Sequence, residues 1–144
     1  MKNIFIEVAV KAIIVNSKNQ VLVLREAPRA DGSKAGKYGL PGGRVNSGEY
    51  YLDALQREVL EETNLKITVG DIVFSGEWRP VINSITHQII GMFFICKLKS
   101  DDIKLSSEHD DYKWIKQDQI IKYKFMQPDD KAVVAALKYL KSAI

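Results

Sequence analysis

Glu58, Glu61 and Glu62, with Arg57 immediately before them, are the residues of this chain whose types and spacing could do chemistry. At about 100° per residue, positions i, i+3 and i+4 share one face of a helix, so three carboxylates converge there. Such neighbours repel by roughly 0.2–0.5 kcal/mol per pair, which solvent tolerates, so spacing alone also fits a solvated acidic face. The run in front of them argues otherwise. Gly39-Leu40-Pro41-Gly42-Gly43 leads the chain to the helix through a turn whose bare backbone can approach a phosphate or a metal closely. A carboxylate face beside such a loop suits Mg2+, which takes oxygen ligands and commonly sits between carboxylates and phosphates. Zinc is disfavoured, because no Cys/His cluster is present.

The whole run reads Gly43, five residues, Glu49, seven residues, then Arg57-Glu58-Val59-Leu60-Glu61-Glu62-Thr63-Asn64-Leu65. It closely resembles the Nudix box: Gly, five spacers, Glu, seven spacers, Arg-Glu-aliphatic-any-Glu-Glu-any-Gly-aliphatic. Every charged position matches at the right spacing, over a length that makes a chance match improbable. Asn64 departs from it, standing where the pattern has a second glycine, but Asn tolerates the left-handed conformation that ends a helix.

The resemblance implies a Mg2+-dependent hydrolase of a diphosphate linkage, with Mn2+ as a substitute cation. It implies that Glu58, Glu61 and Glu62 are the metal-ligand set, with the Gly43 carbonyl as an added backbone ligand. It also implies that Glu49 holds Arg57 and that this pair orients the catalytic carboxylates; an ordinary helix salt bridge is the alternative. Nudix enzymes often recruit a further glutamate from a loop before an aromatic-bearing strand, and Ser107-Glu108-His109-Asp110-Asp111-Tyr112-Lys113-Trp114 resembles that segment. Glu108 is then a metal ligand or the general base, against the alternative of a solvated loop carboxylate. The base is left open between Glu58 and Glu108. Trp114 reads as core packing, and His87 and His109 as structural or surface groups, since neither lies in the box.

Substrate contacts must come from outside the box. Arg25, Arg29, Lys34, Lys37 and Arg44 surround the glycine-rich stretch and suit substrate phosphates, or simply keep a loop soluble. Trp78 could stack on a base or pack the core. Pro80 resembles a marker of ADP-ribose pyrophosphatases. A nucleoside triphosphate, cleaved to monophosphate and pyrophosphate, is the expected substrate; ADP-ribose or another nucleoside-diphosphate sugar is the alternative.

The elements that must position these groups follow from the pattern. Ile4 to Val15 and Gln20 to Leu24 are apolar, β-branched runs around Asn16-Ser17-Lys18-Asn19, the composition of an antiparallel hairpin. Pro28 to Gly43 reads as a long loop. Asn46 with Glu49 has the form of a cap for a helix over Tyr50 to Thr63, whose apolar face is Leu52, Leu55 and Val59. Strands are expected at Lys66 to Phe74, His87 to Leu98 and Tyr112 to Ile115. A last helix runs from Asp129 to Ser142 with Val133, Leu137 and Leu140 on one stripe.

The fold class is α/β (α+β in some schemes). The resemblance implies a Nudix α/β/α sandwich around a mixed sheet, and residues 1–144 read as one domain. A chain of 144 residues that is 46% hydrophobic can bury a core without staples. A net charge of +3, evenly scattered, argues against a stable nucleic-acid complex and fits a small anionic nucleotide. Cys96, the single cysteine, reads as a buried thiol in a reducing compartment. With no signal-peptide pattern and no membrane-spanning run, a cytoplasmic protein is expected; a homodimer is left open. Two rivals stand against the hydrolase: a non-catalytic nucleotide-binding module, which need not keep every carboxylate, and an isoprenoid diphosphate isomerase, which should supply a catalytic cysteine and metal-binding histidines.

Overall fold

Ile4–Val15 is largely exposed over its first residues and then is buried on both faces from Ala9 to Ile14. This strand, β1, is the spine of a mixed sheet, seen in a computed structural model that describes residues 3–29 and 36–142. The remaining elements are β2 (Val21–Glu26), β3 (Tyr38–Gly39), β4 (Gly42–Arg44), α1 (Tyr51–Thr63), β5 (Ile67–Trp78), β6 (Val81–Ile82), β7 (Ile85–Leu98), β8 (His109–Ile115), a 3-10 turn over Gln117–Lys122, and α2 (Asp129–Ser142). Because side chains alternate across a strand, the sheet feeds two cores. Val10, Ala12, Ile14, Leu22 and Leu24 pack beneath α1 with Ala54, Leu55 and Val59. Ile13, Val21, Val23 and Phe93 pack on the other face with Ala132, Val133, Ala136 and Leu137 of α2. This is the expected helix–sheet–helix sandwich.

β1 runs parallel to β7 over its whole length, from Ile4 opposite Thr86 to Val15 opposite Lys97. β5 adds antiparallel to β7, with register breaks around Ile72. On the other side the expected hairpin is only partly formed. The Asn16 side-chain carbonyl takes the Lys18 and Gln20 N–H groups, closing the turn, but β1 and β2 meet only at Val15 and Val21. Beyond that point β4 occupies the edge of β1 at Ala9, Val10 and Lys11, while β2 pairs with β3 and β8. The glycine-rich stretch is therefore a wedge between two splayed strands. Gly42, at φ +146°, lies so close to the Val10 carbonyl that any side chain would strike it, which is why this wedge needs a glycine.

Several boundaries differ from the expectations. β5 extends to Trp78 and β8 begins at His109, both longer than their apolar runs. α1 starts at Tyr51, and Asn46 does not cap it; Glu49 instead accepts the Asn46 N–H at 3.1 Å from within the preceding turn. Leu52 faces solvent, and Ala54 completes the buried stripe in its place. Asn64 ends α1 at φ +65°, as its side chain permits, and α2 spans the residues expected of it. Cys96 is buried beneath α1, and burial pushes its thiol up to about 12. Among the described residues no helix is long and apolar enough to cross a membrane.

Candidate functional site

The end of α1 and the glycine wedge are tied together by Arg57. Its Nε donates to Glu49 Oε2 at 2.7 Å and its Nη2 to Glu49 Oε1 at 3.0 Å; Nη2 also reaches the Arg44 carbonyl at 3.3 Å. Nη1 donates to Glu58 Oε1 at 2.9 Å and to Glu61 Oε2 at 3.4 Å. One guanidinium thus links the turn, the β4 backbone and two of the three helix carboxylates. Hydrogen bonds from Arg57 and the Asn46 N–H hold the Glu49 carboxyl below the usual range.

The three carboxylates part company in their surroundings. Glu61 lies at the solvent edge with Arg57 as its neighbour. Glu58 lies over Gly43, where an added Cβ would come within 2.5 Å of its carboxyl carbon, so the bare glycine makes room for it. Glu62 is buried, and its Oε1 accepts the Gly42 N–H at 2.7 Å. Burial raises its carboxyl to about 8; the Gly42 bond and the Lys11 charge oppose the rise, and Glu58 and Glu108 add to it. A buried acid among other acids holds its charge poorly alone and well beside a cation.

Glu108 reaches this cluster by way of the loop that caps α1. The Lys104 and Ser106 N–H groups bond the Thr63 and Glu62 carbonyls at 2.9 and 3.1 Å, satisfying acceptors left open at the helix end. The Ala27 N–H bonds the Glu108 carbonyl at 3.0 Å. One ligand atom each from Glu62, Glu108 and His109 then lie within 4.8 Å of one another. The two carboxylates fit a hard divalent cation, and beside them His109 Nδ1 is a buried atom without a hydrogen-bond partner among the described residues.

Lys11, Glu26 and Asp129 are the charged groups that sequence reasoning missed. Lys11 Nζ lies 3.2 Å from Asp129 Oδ2, and that oxygen also accepts the Leu40 N–H at 2.8 Å. Burial alone would depress the Lys11 ammonium, but the charges of Asp129 and Glu62 outweigh it and raise it. Glu26, at the end of β2, is buried between Arg29 at 3.2 Å and His109 at 3.8 Å. A lysine inside the apolar run of β1 was the legible signal; nothing local marks Glu26. His109, read as a structural or surface group, is buried in the centre of the site, and burial lowers its proton affinity. His87 pairs with Glu7, away from these carboxylates.

The expected phosphate partners are scattered. Arg25 pairs with Asp110 at 2.6 Å and Arg44 with Glu7 at 3.1 Å. The Lys37 carbonyl receives the Glu26 N–H at 2.8 Å. Lys34 lies outside the described residues. Trp78 is half-buried against Gly91 and Phe93, with Lys11 Nζ 5.9 Å from its ring, and Trp114 packs under α1 as expected. A cleft of about 1150 Å³ lies elsewhere, around Cys96, Leu98 and Tyr139, and includes none of Glu58, Glu62 and Glu108.

The model of the NUDIX domain matches residues 6–137. The chain belongs to the Nudix family. This Nudix hydrolase is 30% identical over 95 residues to a nucleoside triphosphatase, NudI, of Escherichia coli O139:H28, covering 61% of this chain and 67% of the relative. Its fold matches the crystal structure of a MutT protein from Methanosarcina mazei Go1 with a TM-score of 0.77 and 28% identity, over 97% of this chain and 96% of the other. An ADP-ribose pyrophosphatase from Streptococcus suis 89-1591 shares the fold at a TM-score of 0.69 and 18% identity, over 96% and 94% of the two chains. The family generally uses a divalent metal, which the carboxylate cluster suits.

Proposed function

We propose that this Nudix hydrolase is a Mg2+-dependent nucleoside triphosphate pyrophosphohydrolase, releasing a nucleoside monophosphate and pyrophosphate. The observation that carries the reading is the position of Glu62, buried at the glycine wedge with Glu58 and Glu108 beside it. Its likeness to a nucleoside triphosphatase favours triphosphates. Likeness to an ADP-ribose pyrophosphatase at 18% identity extends to the fold alone, so Pro80 is what keeps that alternative.

Glu62, Glu61 and Glu108 would hold the cation with the Gly43 carbonyl, and Mn2+ would serve in place of Mg2+. A divalent ion there supplies charge neutralisation for the diphosphate and a more acidic water. Glu58, with Oε1 tied to Arg57, keeps Oε2 to receive the proton of the attacking water. Arg57 and Glu49 position that carboxylate. Arg25 and Arg44 meet the outer phosphates on exchanging Asp110 and Glu7, and Lys37 joins them from the same stretch of chain.

The test is a panel of nucleoside triphosphates, dinucleotides, sugar nucleotides and ADP-ribose with Mg2+ in 18O-labelled water, product masses identifying the phosphorus attacked. A triphosphate should give the highest kcat/KM. ADP-ribose turnover above every triphosphate would overturn the substrate, and no hydrolysis at all would favour a nucleotide-binding module.

Trp78 is the aromatic platform proposed for the base. Trp78→Ala should weaken substrate binding by roughly 1–3 kcal/mol, the range for base–aromatic stacking, with metal affinity little changed. A variant that melts early with an unchanged KM would return Trp78 to the Phe93 core.

A further inference from the structure

We infer that His109 Nδ1 is a ligand of the divalent cation and that Glu26 orients its ring, making this a mixed carboxylate and imidazole centre; the inference rests on the metal-dependent reading above. His109 is 8% exposed, and its Nδ1 has no hydrogen-bond partner among the described residues. Leaving a buried nitrogen unpaired costs free energy, so the atom's surroundings need an explanation.

Nδ1 lies 3.8 Å from Glu62 Oε2, too far for a hydrogen bond and close enough for one ion to touch both atoms. Glu108 adds a carboxylate oxygen within 4.8 Å of these atoms. On the opposite edge of the ring, Nε2 faces Glu26 Oε1 at 3.8 Å, and Glu26 is itself anchored by Arg29 at 3.2 Å.

That arrangement is the one in which an imidazole serves a metal. Histidine ligands usually turn the other ring N–H toward a carboxylate, which fixes the tautomer and leaves a lone pair on the ligating nitrogen. At 3.8 Å Glu26 is a charge beside Nε2 and not a hydrogen-bond partner; drawn onto Nε2 by that charge, the ring proton leaves the Nδ1 lone pair on the side of Glu62 and Glu108. The secondary structure holds the pieces in place. Glu26 and His109 are register partners across β2 and β8, and the residue before His109 is Glu108, so one β-bridge sets both the ligand and its orienting carboxylate.

A nitrogen ligand also changes which ion binds best. Mg2+ binds nitrogen poorly and first-row transition ions bind it better, so His109 should shift the preference from Mg2+ toward Mn2+, although Mn2+ is the weakest binder of that series.

The test uses the whole chain loaded with Mn2+ alone, without nucleotide, and electron spin-echo modulation as the readout. The chain has two histidines, so the assignment is direct. Wild type should show coupling to one histidine nitrogen, changing pattern when histidine is 15N-labelled and persisting in His87→Asn. His109→Asn should abolish it. Glu26→Gln should keep the coupling while weakening Mn2+ affinity by about 10-fold, the low end for losing a carboxylate that orients a ligand. The labelled wild type and His87→Asn decide the matter even if His109→Asn fails to fold. Bound Mn2+ without histidine coupling, in protein that hydrolyses a triphosphate, would overturn this inference alone. Loss of coupling in His87→Asn would also overturn it, and failure to bind Mn2+ at all would overturn both it and the metal-dependent reading.

Discussion

Glu62→Gln is expected to lower kcat at saturating Mg2+ by at least ~10²-fold while the protein stays folded. The variant is chosen because the two jobs of this side chain separate. Oε1 accepts the Gly42 N–H at 2.7 Å, and a glutamine carbonyl oxygen can accept the same bond, so the wedge should keep its seat on α1. What disappears is the negative charge, in a buried position where a cation has most to gain from it. Without metal, burial already keeps this carboxyl mostly protonated near neutral pH, so its neutral replacement should leave metal-free stability little changed. Steady-state kinetics with circular dichroism and Mg2+ titration check the result. Activity within a few-fold of wild type, in a folded variant at saturating Mg2+, would remove Glu62 from the chemistry.

The contrast between Glu62 and Glu61 marks where sequence reading stops. Helical spacing places Glu58, Glu61 and Glu62 on one face, and the box pattern supplied the family before any coordinates. Spacing is blind to depth. Glu62 is buried because α1 lies along the wedge at Gly42, whereas Glu61, one residue earlier, points to solvent and leans on Arg57. The two helices and the apolar runs of the long strands were legible because their patterns are local; the burial of β1 on both faces was not, because it depends on what packs above and below the sheet. The pairing of the strands was not. An Asn-rich turn between two apolar runs argues for a hairpin, but it says nothing of a β4 that takes the β1 edge from Ala9 to Lys11. Glu26 and His109 meet only because β2 pairs with β8, a contact between residues far apart in the chain. Lys11 went unread, although a cation in an apolar run is an anomaly that could have marked it. Its partner was hidden, since Asp129 at the start of α2 reads equally well as an ordinary helix-opening residue.

That ion pair supports the second large effect, on stability. Lys11→Met is expected to destabilise the protein by about 3–5 kcal/mol, because it leaves the Asp129 carboxylate buried without its countercharge. Asp129 is 2% exposed, and its Oδ2 joins three elements: Lys11 of β1 at 3.2 Å, the Leu40 N–H at 2.8 Å, and α2, which carries it. Asp129→Asn should cost a similar amount from the other side, stranding the ammonium while its amide oxygen still accepts from Leu40. The two losses should not add. In Lys11→Met/Asp129→Asn neither charge remains and the Leu40 acceptor survives, so the double variant should be more stable than either single one. Urea unfolding of the four proteins gives the coupling directly, and each single change should lower Tm by on the order of 10 °C. Singles within about 1 kcal/mol of wild type, or a double variant that is simply their sum, would show that water already reaches this pair. Kinetics on the same set separate structure from chemistry. Lys11 repels a divalent ion beside Glu62 about twice as strongly as it repels the competing proton, so Lys11→Met should need less Mg2+ for half-maximal activity, a shift independent of its lost stability.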